Sequence, residues 1–151
     1  MRIRTTLIAL SLLLGSAAAL ADLEPWKDYD QSVAVWSVTT IRVQPNMDDA
    51  YLEGLAKTWV TTSEAAKKLG QIEDYEIYRS DLPQSGDFNL LLIVKFAKTD
   101  DLAPNKARYD AFMNEFGKAR SDETTAFAQK NYPAMREITG QYLFRKITLK
   151  K

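Results

Sequence analysis

The stretch NLLLIVKF, residues Asn89 to Phe96, decides the fold of this chain. A β-strand places successive side chains on opposite faces of its sheet. Both faces of this strand are apolar, one with Leu90, Leu92, Val94 and Phe96 and the other with Leu91 and Ile93. Because apolar surface on both sides must be covered, the stretch predicts a sheet with one layer above it and another below it.

A strand and a helix are predicted upstream of this stretch. The β-branched and aromatic residues of Val33–Val43 predict the first strand, which Pro45 ends. Asn46 is a candidate N-cap, and Gly70 stands where a helix C′ glycine belongs. Between them the apolar residues recur every three or four positions, at Met47, Tyr51, Leu52, Leu55, Trp59, Ala66 and Leu69. This spacing predicts an amphipathic helix.

A hairpin follows the first helix. Ile72–Ser80 alternates in polarity and predicts the second strand, while Asp81–Asp87 has the composition of a turn. The turn leads directly into the third strand, Phe88–Ala97.

The remainder of the chain predicts a second helical region and a last strand. Its first apolar stripe consists of Tyr109, Phe112, Met113 and Phe116. Gly117 interrupts the helix, Ser121–Asn131 resumes it, and Pro133 ends it. Gln141–Leu149 then predicts the final strand.

The resulting order, β-α-β-β-α-β, is that of an α+β ferredoxin-like domain over residues 33–151. It predicts a four-stranded antiparallel sheet with the helices on one face, the face of Leu90, Leu92, Val94 and Phe96. The other face gathers aromatic and apolar residues, which we expect to be Leu91, Ile93, Trp36, Val38, Ile72, Tyr78, Tyr142 and Phe144. A second copy packed sheet against sheet would cover this surface, so we predict a homodimer.

The N-terminus has the pattern of a secretory signal peptide over residues 1–21. Arg2 and Arg4 precede an apolar run, Leu7–Leu14, and Ala19-Leu20-Ala21 fits a cleavage site after Ala21. The polar segment 22–32 then reads as a leader before the domain. We expect a periplasmic or secreted protein with no stable membrane insertion; a retained N-terminal anchor is the alternative.

The composition restricts the possible chemistry. The chain has no histidine and no cysteine, which excludes a Ser-His-Asp triad, a cysteine nucleophile and histidine-ligated haem or zinc. Its 20 basic and 20 acidic residues balance, so we expect no nucleic-acid partner. The acidic pairs Asp48-Asp49 and Asp100-Asp101 fall at predicted helix starts and serve the helix dipole. We therefore expect neither a metal site nor a cofactor.

The segments VAVWSVTTIRVQPNMDDAYLEGL (33–55) and FNLLLIVKF (88–96) resemble the dimeric α/β-barrel superfamily. The resemblance is to small exported uncharacterised members and to domains similar to antibiotic-biosynthesis monooxygenases. It implies that two ferredoxin-like protomers join their sheets into one barrel. In cofactor-free monooxygenases of this fold a pocket Trp, Asn or Arg orients a phenolic substrate, and Trp36, Trp59 and Asn89 are available. Haem-binding relatives ligate iron through histidine, from which this chain departs.

Five residues are predicted to bind a ligand: Trp36, Arg42, Trp59, Tyr78 and Tyr142. The aromatic residues of the strands can instead form the dimer interface, where such residues are enriched. Trp59 lies on the apolar stripe of the first helix and can be a plain core residue. A strand arginine such as Arg42 can bind a ligand carboxylate, or it can pair with an acidic residue of a neighbouring strand.

Three hypotheses of function follow. The first is an exported homodimer that binds a small apolar or aromatic molecule. The second is a cofactor-independent enzyme, similar to a monooxygenase or an isomerase, in which a strand arginine stabilises negative charge and a tyrosine or carboxylate moves the proton. The third is a structural or interaction module of the cell envelope.

Overall fold

The computed structural model describes residues 22–82 and 86–151, and the predicted signal peptide lies outside them. The strands are β1 (Tyr29–Gln31), β2 (Val35–Val43), β3 (Asp74–Arg79), β4 (Leu90–Phe96), β5 (Arg136–Phe144) and β6 (Ile147–Leu149). The helices are α1 (Asp48–Leu55), α2 (Thr61–Lys68), α3 (Lys106–Phe116) and α4 (Lys118–Met135). A π-helical turn, Ala56–Val60, joins α1 to α2, and a short 3₁₀ helix, Thr99–Leu102, follows β4.

Four strands form one antiparallel sheet in the order β3-β4-β2-β5. With α1 and α2 after β2, and α3 and α4 after β4, this order is that of the ferredoxin-like fold. The predicted fold class is confirmed.

The hydrophobic core lies between the sheet and the helices. The sheet contributes the buried side chains of Ile41, Val43, Leu90 and Leu92, and the helices contribute Tyr51, Leu55 and Tyr132. Leu90 is 2% exposed and Leu55 is 1% exposed, so this layer is filled. The helices therefore cover the face of β4 that the alternation in NLLLIVKF predicted.

The N-cap of the first helix lies one residue later than predicted, and the helix begins at Asp48. The N-cap position is Met47, and Asn46 lies in the preceding turn with a φ of 63°. Asparagine adopts this left-handed conformation more readily than most residues, so Asn46 suits the turn that precedes the helix. At the other end Gly70 follows the C-cap residue Leu69 with a φ of 66°, as predicted.

The second helical region and the last strand differ from their predicted bounds. Gly117, with a φ of 86°, separates α3 from α4 as expected. Pro133 lies inside α4, which continues to Met135 because Tyr132 and Met135 pack against the core. The strand predicted over 141–149 begins instead at Arg136 and is interrupted after Phe144, since β5 pairs with β2 along its length.

A two-stranded ribbon lies beside the sheet. Tyr29–Gln31, within the segment predicted as a leader, pairs antiparallel with Ile147–Leu149. Arg145 ties the ribbon to the sheet, since its Nη1 donates to the carbonyl oxygens of Ser32 at 2.9 Å and Val33 at 3.0 Å. Among the described residues no helix is long and apolar enough to cross a bilayer.

Candidate functional site

The face of the sheet opposite the helices, called the open face below, carries the predicted ligand-binding residues of the strands. The strand registers place twelve residues on it in three rows. The rows are Asp74, Lys95, Trp36 and Phe144; Glu76, Ile93, Val38 and Tyr142; and Tyr78, Leu91, Thr40 and Gly140.

On the open face, small and largely buried side chains lie at the centre, and larger aromatic side chains lie on the two edge strands. Val38 and Thr40 in the middle are 9% and 6% exposed, and Ile93 beside them is half-buried. The flanking rings of Tyr78, Tyr142 and Phe144 are each 51% exposed. Large aromatic side chains therefore stand around a floor of smaller ones.

The rings on the β5 side are held in place by local packing. Tyr142 and Phe144 stack with their centroids 5.8 Å apart and an interplanar angle of 22°. The ring of Tyr142 lies over Gly140, where a Cβ would come within 2.7 Å of it. Beneath them the hydroxyls of Thr40 and Thr139 are hydrogen-bonded at 2.8 Å. The absence of a side chain at Gly140 thus makes room for the tyrosine ring.

A small cavity of about 60 Å³ opens on the other half of the open face, lined by Trp36, Asp74, Tyr75, Glu76, Ile93 and Lys95. The Nζ of Lys95 lies 5.6 Å from the Trp36 ring centroid and 2.6 Å from the carboxylate of Glu73. Asp74 pairs with Lys67 at 2.8 Å.

Tyr78 lies on the edge strand next to this cavity. Its hydroxyl donates to the Glu76 carboxylate at 3.0 Å, and this hydrogen bond raises the pKa of Tyr78. The edge of the open face therefore presents a coupled phenol and carboxylate.

The five predicted ligand-binding residues do not form one cluster. Trp36 and Tyr142 lie in adjacent rows on β2 and β5, whereas Tyr78 is on the opposite edge strand. Trp59 lies on the helix side of the sheet, with its ring edge-on to Tyr75 at 5.4 Å and 84°. The structure thus brings Trp36 and Tyr142 together and separates Trp59 from them.

Arg42 lies at the far end of β2. Its Nε donates to the carbonyl oxygen of Asp87 at 3.1 Å, and its Nη2 lies 3.4 Å from the Asp87 carboxylate. With Arg79 it borders an open cavity of about 940 Å³ at this end of the sheet. Asn89, in the same place, bonds the backbone of Val43 through both side-chain atoms, at 2.8 and 3.1 Å, and thus closes the end of the strand pair.

Ile72 was expected on the open face and is not there. It precedes β3, which begins at Asp74, and lines a cavity together with Ala66 and Phe96 on the helix side. The predicted strand is two residues too long at this end.

A buried polar cluster inside the helix layer has no counterpart in the sequence prediction. The hydroxyl of Thr58, in the π-helical turn, donates to the carbonyl oxygen of Gly54 at 2.9 Å and is hydrogen-bonded to the Tyr132 hydroxyl. The guanidinium of Arg136 lies 5.4 Å from the Tyr132 ring and interacts with the Tyr51 hydroxyl. Burial raises the pKa of Tyr51 to about 12, and burial also raises the pKa of Tyr132.

Arg136 is the unusual member of this cluster. Its Nε is buried and has no hydrogen-bond partner among the described residues. The sequence analysis considered an arginine within a predicted strand, Arg42, and missed Arg136, because residue 136 was placed before the last strand. A π-helical turn, often found at functional sites, leaves no recognisable spacing in the sequence.

Within residues 22–82 and 86–151, no group of three or more Asp and Glu side chains is arranged to hold a metal ion.

No family model matches this chain, and no curated protein matches it. Its similarity is to solved structures. HapK from Hahella chejuensis is 15% identical, with 74% of this chain and 91% of that chain covered and a TM-score of 0.45. A NIPSNAP family protein with unknown function from Agrobacterium tumefaciens is 14% identical, with coverages of 82% and 95% and a TM-score of 0.47. A dimeric protein of unknown function and ferredoxin-like fold from Bacteroides fragilis is 10% identical, with coverages of 80% and 100% and a TM-score of 0.42.

The similar structures also include other proteins described as dimeric and ferredoxin-like. The fold itself follows from the strand order of the sheet.

Proposed function

We propose that this protein is an exported homodimer that binds a small apolar or aromatic molecule between the open faces of two copies. The observation that carries the proposal is the open face itself. Three aromatic rings, each half exposed, surround a floor formed by Val38 and Ile93. Aromatic walls with a few polar groups are typical of sites for small apolar ligands.

Dimerisation accounts for the exposure of the open face. Tyr78 on one edge strand and Tyr142 and Phe144 on the other are exposed, with the apolar side chains of Leu91, Ile93 and Val38 between them. Soluble monomers rarely expose a continuous surface of this kind. If two such faces meet, the tall side chains contact each other first. The lower floors then enclose a space between them, larger than the cavity of about 60 Å³ that one chain forms.

Export is the part of the proposal that rests on the sequence alone. The basic residues, the apolar run and the Ala19-Leu20-Ala21 motif predict cleavage after Ala21. The mature protein should then begin at Asp22 and be recovered from the periplasm or the medium. Edman sequencing that found Met1 at the N-terminus of the native protein would contradict this.

Native mass spectrometry of the protein purified from its own cells tests the binding function. We expect a dimer that carries a reproducible additional small-molecule mass. The variant Val38→Phe should remain dimeric and lose that mass, because the larger side chain fills the floor. Val33→Phe is the matched control, since Val33 is 72% exposed and outside the sheet. A monomer would contradict the dimeric site, and a mass retained by Val38→Phe would place the ligand elsewhere.

A second candidate function is catalysis without a cofactor, which the cluster around Arg136 favours. An arginine with a buried, unpartnered Nε beside two buried tyrosines combines a group that stabilises negative charge with groups that can move a proton. Tyr51 is 1% exposed, so a substrate would reach it only after the helices move away from the sheet. This requirement makes binding on the open face the better-supported function.

A further inference from the structure

We infer that the ligand of the open face is an amine that carries a positive charge, bound with its ammonium group at Glu76 and its apolar part on the floor beside Trp36. The inference rests on the proposed function and adds the chemical class of the ligand. It follows from the charged side chains that line the cavity of about 60 Å³ and from their ion-pair partners.

Three of the six residues that line this cavity are charged: Asp74, Glu76 and Lys95. Asp74 is paired with Lys67 at 2.8 Å, and Lys95 is paired with Glu73 at 2.6 Å. The charges of these two residues are therefore offset by groups of the chain itself.

Glu76 has no such partner. Across residues 22–82 and 86–151 its carboxylate forms no ion pair with a lysine or arginine, and its hydrogen bond comes from the neutral hydroxyl of Tyr78 at 3.0 Å. The cavity is thus left with one carboxylate whose charge no cation of the described chain offsets. A second copy would remove water from this carboxylate, and burying an unpaired charge is costly. A cationic ligand would supply the missing charge.

The aromatic part of the cavity determines where the charge of such a ligand can lie. The ammonium group of Lys95 already lies 5.6 Å from the Trp36 ring centroid, within the range of a cation–π interaction. This face of the indole is therefore occupied by the chain's own cation, which places the ammonium group of the ligand at Glu76 and away from Lys95. Next to it, Ile93 and Val38 occupy the second row and offer an apolar surface for a ring or an alkyl chain.

The anionic alternative is less consistent with these positions. Arg42 lies at the far end of β2, outside the three rows of the open face, and is engaged by Asp87. Lys95 is held by Glu73. A carboxylate ligand in the cavity would face Glu76 without a free cation of the described chain beside it.

The test uses the three tryptophans of the sequence, at positions 26, 36 and 59. The double variant Trp26→Phe/Trp59→Phe of the mature protein leaves Trp36 as the sole fluorescent indole. It is titrated with three probes of matched shape: 2-phenylethylamine, 2-phenylethanol and phenylacetate. We expect the amine to change the Trp36 fluorescence and to bind about tenfold more tightly than the alcohol, the gain typical of a charge-assisted contact, with phenylacetate weakest.

Two further variants identify the carboxylate. Glu76→Gln should bring the affinities for the amine and the alcohol within about twofold of each other. Glu53→Gln removes the same charge from α1, where Glu53 is exposed, and should leave the tenfold preference unchanged.

The possible failures can be told apart. Equal affinities for the amine and the alcohol, or tightest binding of phenylacetate, would overturn the assignment of a cationic ligand and leave the proposed binding function standing. A preference for the amine that survives in Glu76→Gln would overturn the role of Glu76. If none of the probes changes the Trp36 fluorescence or the melting temperature, both the ligand class and the binding function on this face are wrong.

Discussion

The two faces of the sheet belong to the same four strands, yet one face is covered by helices and the other is exposed. On the helix side, Ile41 and Leu90 are 1% and 2% exposed and pack against Tyr51 and Leu55. On the open face, Tyr142 and Phe144 are each 51% exposed, and their rings stack on one another. The comparison shows that one face of the sheet is buried in the core and that the other leaves apolar and aromatic side chains exposed.

The largest expected effect is on the helix side. Leu55→Ala should lower the free energy of unfolding by about 3 kcal/mol, because it leaves a cavity in a filled layer. Leu149→Ala, at a position 66% exposed, should change it by less than about 0.5 kcal/mol. Urea unfolding of both variants measures the difference. Similar losses for the two would mean that the helix layer is not the main source of stability.

The next effect separates association from folding. Ile93→Asp places a charge at the centre of the proposed interface, and we expect the dimer dissociation constant to rise about 100-fold or more. The change should leave the circular dichroism of the monomer intact, because Ile93 lies on the face that the helices do not cover. Sedimentation equilibrium is the measurement. A dimer that survives this substitution would show that the open face is not the interface.

A third effect is the dependence of stability on pH. Tyr51 has a pKa of about 12 in the folded protein, raised by burial from its ordinary value of 10.0. The folded state therefore favours the protonated phenol. The contribution of Tyr51 to the free energy of unfolding is about 2 to 3 kcal/mol. It is fully present below pH 10 and is lost as the pH rises from about 10 to about 12.

Tyr51→Phe isolates this contribution, because it removes the titrating group and leaves every other ionisable residue in place. Its unfolding free energy should fall less steeply over that pH range than that of the native protein. Parallel slopes for the two proteins would contradict a phenol buried in its neutral form.

The sequence predicted the strands and the helix ends better than it predicted the candidate site. Alternation in NLLLIVKF identified both faces of β4, and glycines 70 and 117 marked their helix ends, because these features depend on local geometry. The core position of Trp59 was the alternative that the apolar stripe of the first helix indicated, whereas the cluster around Arg136 depends on how the helices dock on the sheet. Local spacing carries no information about that docking.

The prediction of Pro133 as a helix end failed for a related reason. Proline disfavours a helix interior locally, but the burial of Tyr132 at 6% exposure fixes the last turn of α4 against the core. Tertiary packing outweighed the local preference. The charge pairs of the open face likewise follow from strand register, which the sequence left unspecified.

The smallest expected effect compares two glycines that each lie under a tyrosine ring, one on each side of the sheet. A Cβ at Gly54 would come within 3.0 Å of Tyr132, and a Cβ at Gly140 would come within 2.7 Å of Tyr142. Tyr132 is 6% exposed and cannot move aside, whereas Tyr142 is 51% exposed and can rotate into solvent. Gly54→Ala should therefore cost about 1 kcal/mol even after the gain in helix propensity. At Gly140 the Cβ would also come within 2.9 Å of the Thr40 hydroxyl, which is buried, so Gly140→Ala should cost a similar amount, about 1 kcal/mol. Gly140→Ala should still weaken the dimer, because the displaced ring no longer fits against the second copy. Urea unfolding at low protein concentration and sedimentation at high concentration separate these two effects, and an unchanged dimer affinity in Gly140→Ala would show that Tyr142 does not lie in the interface.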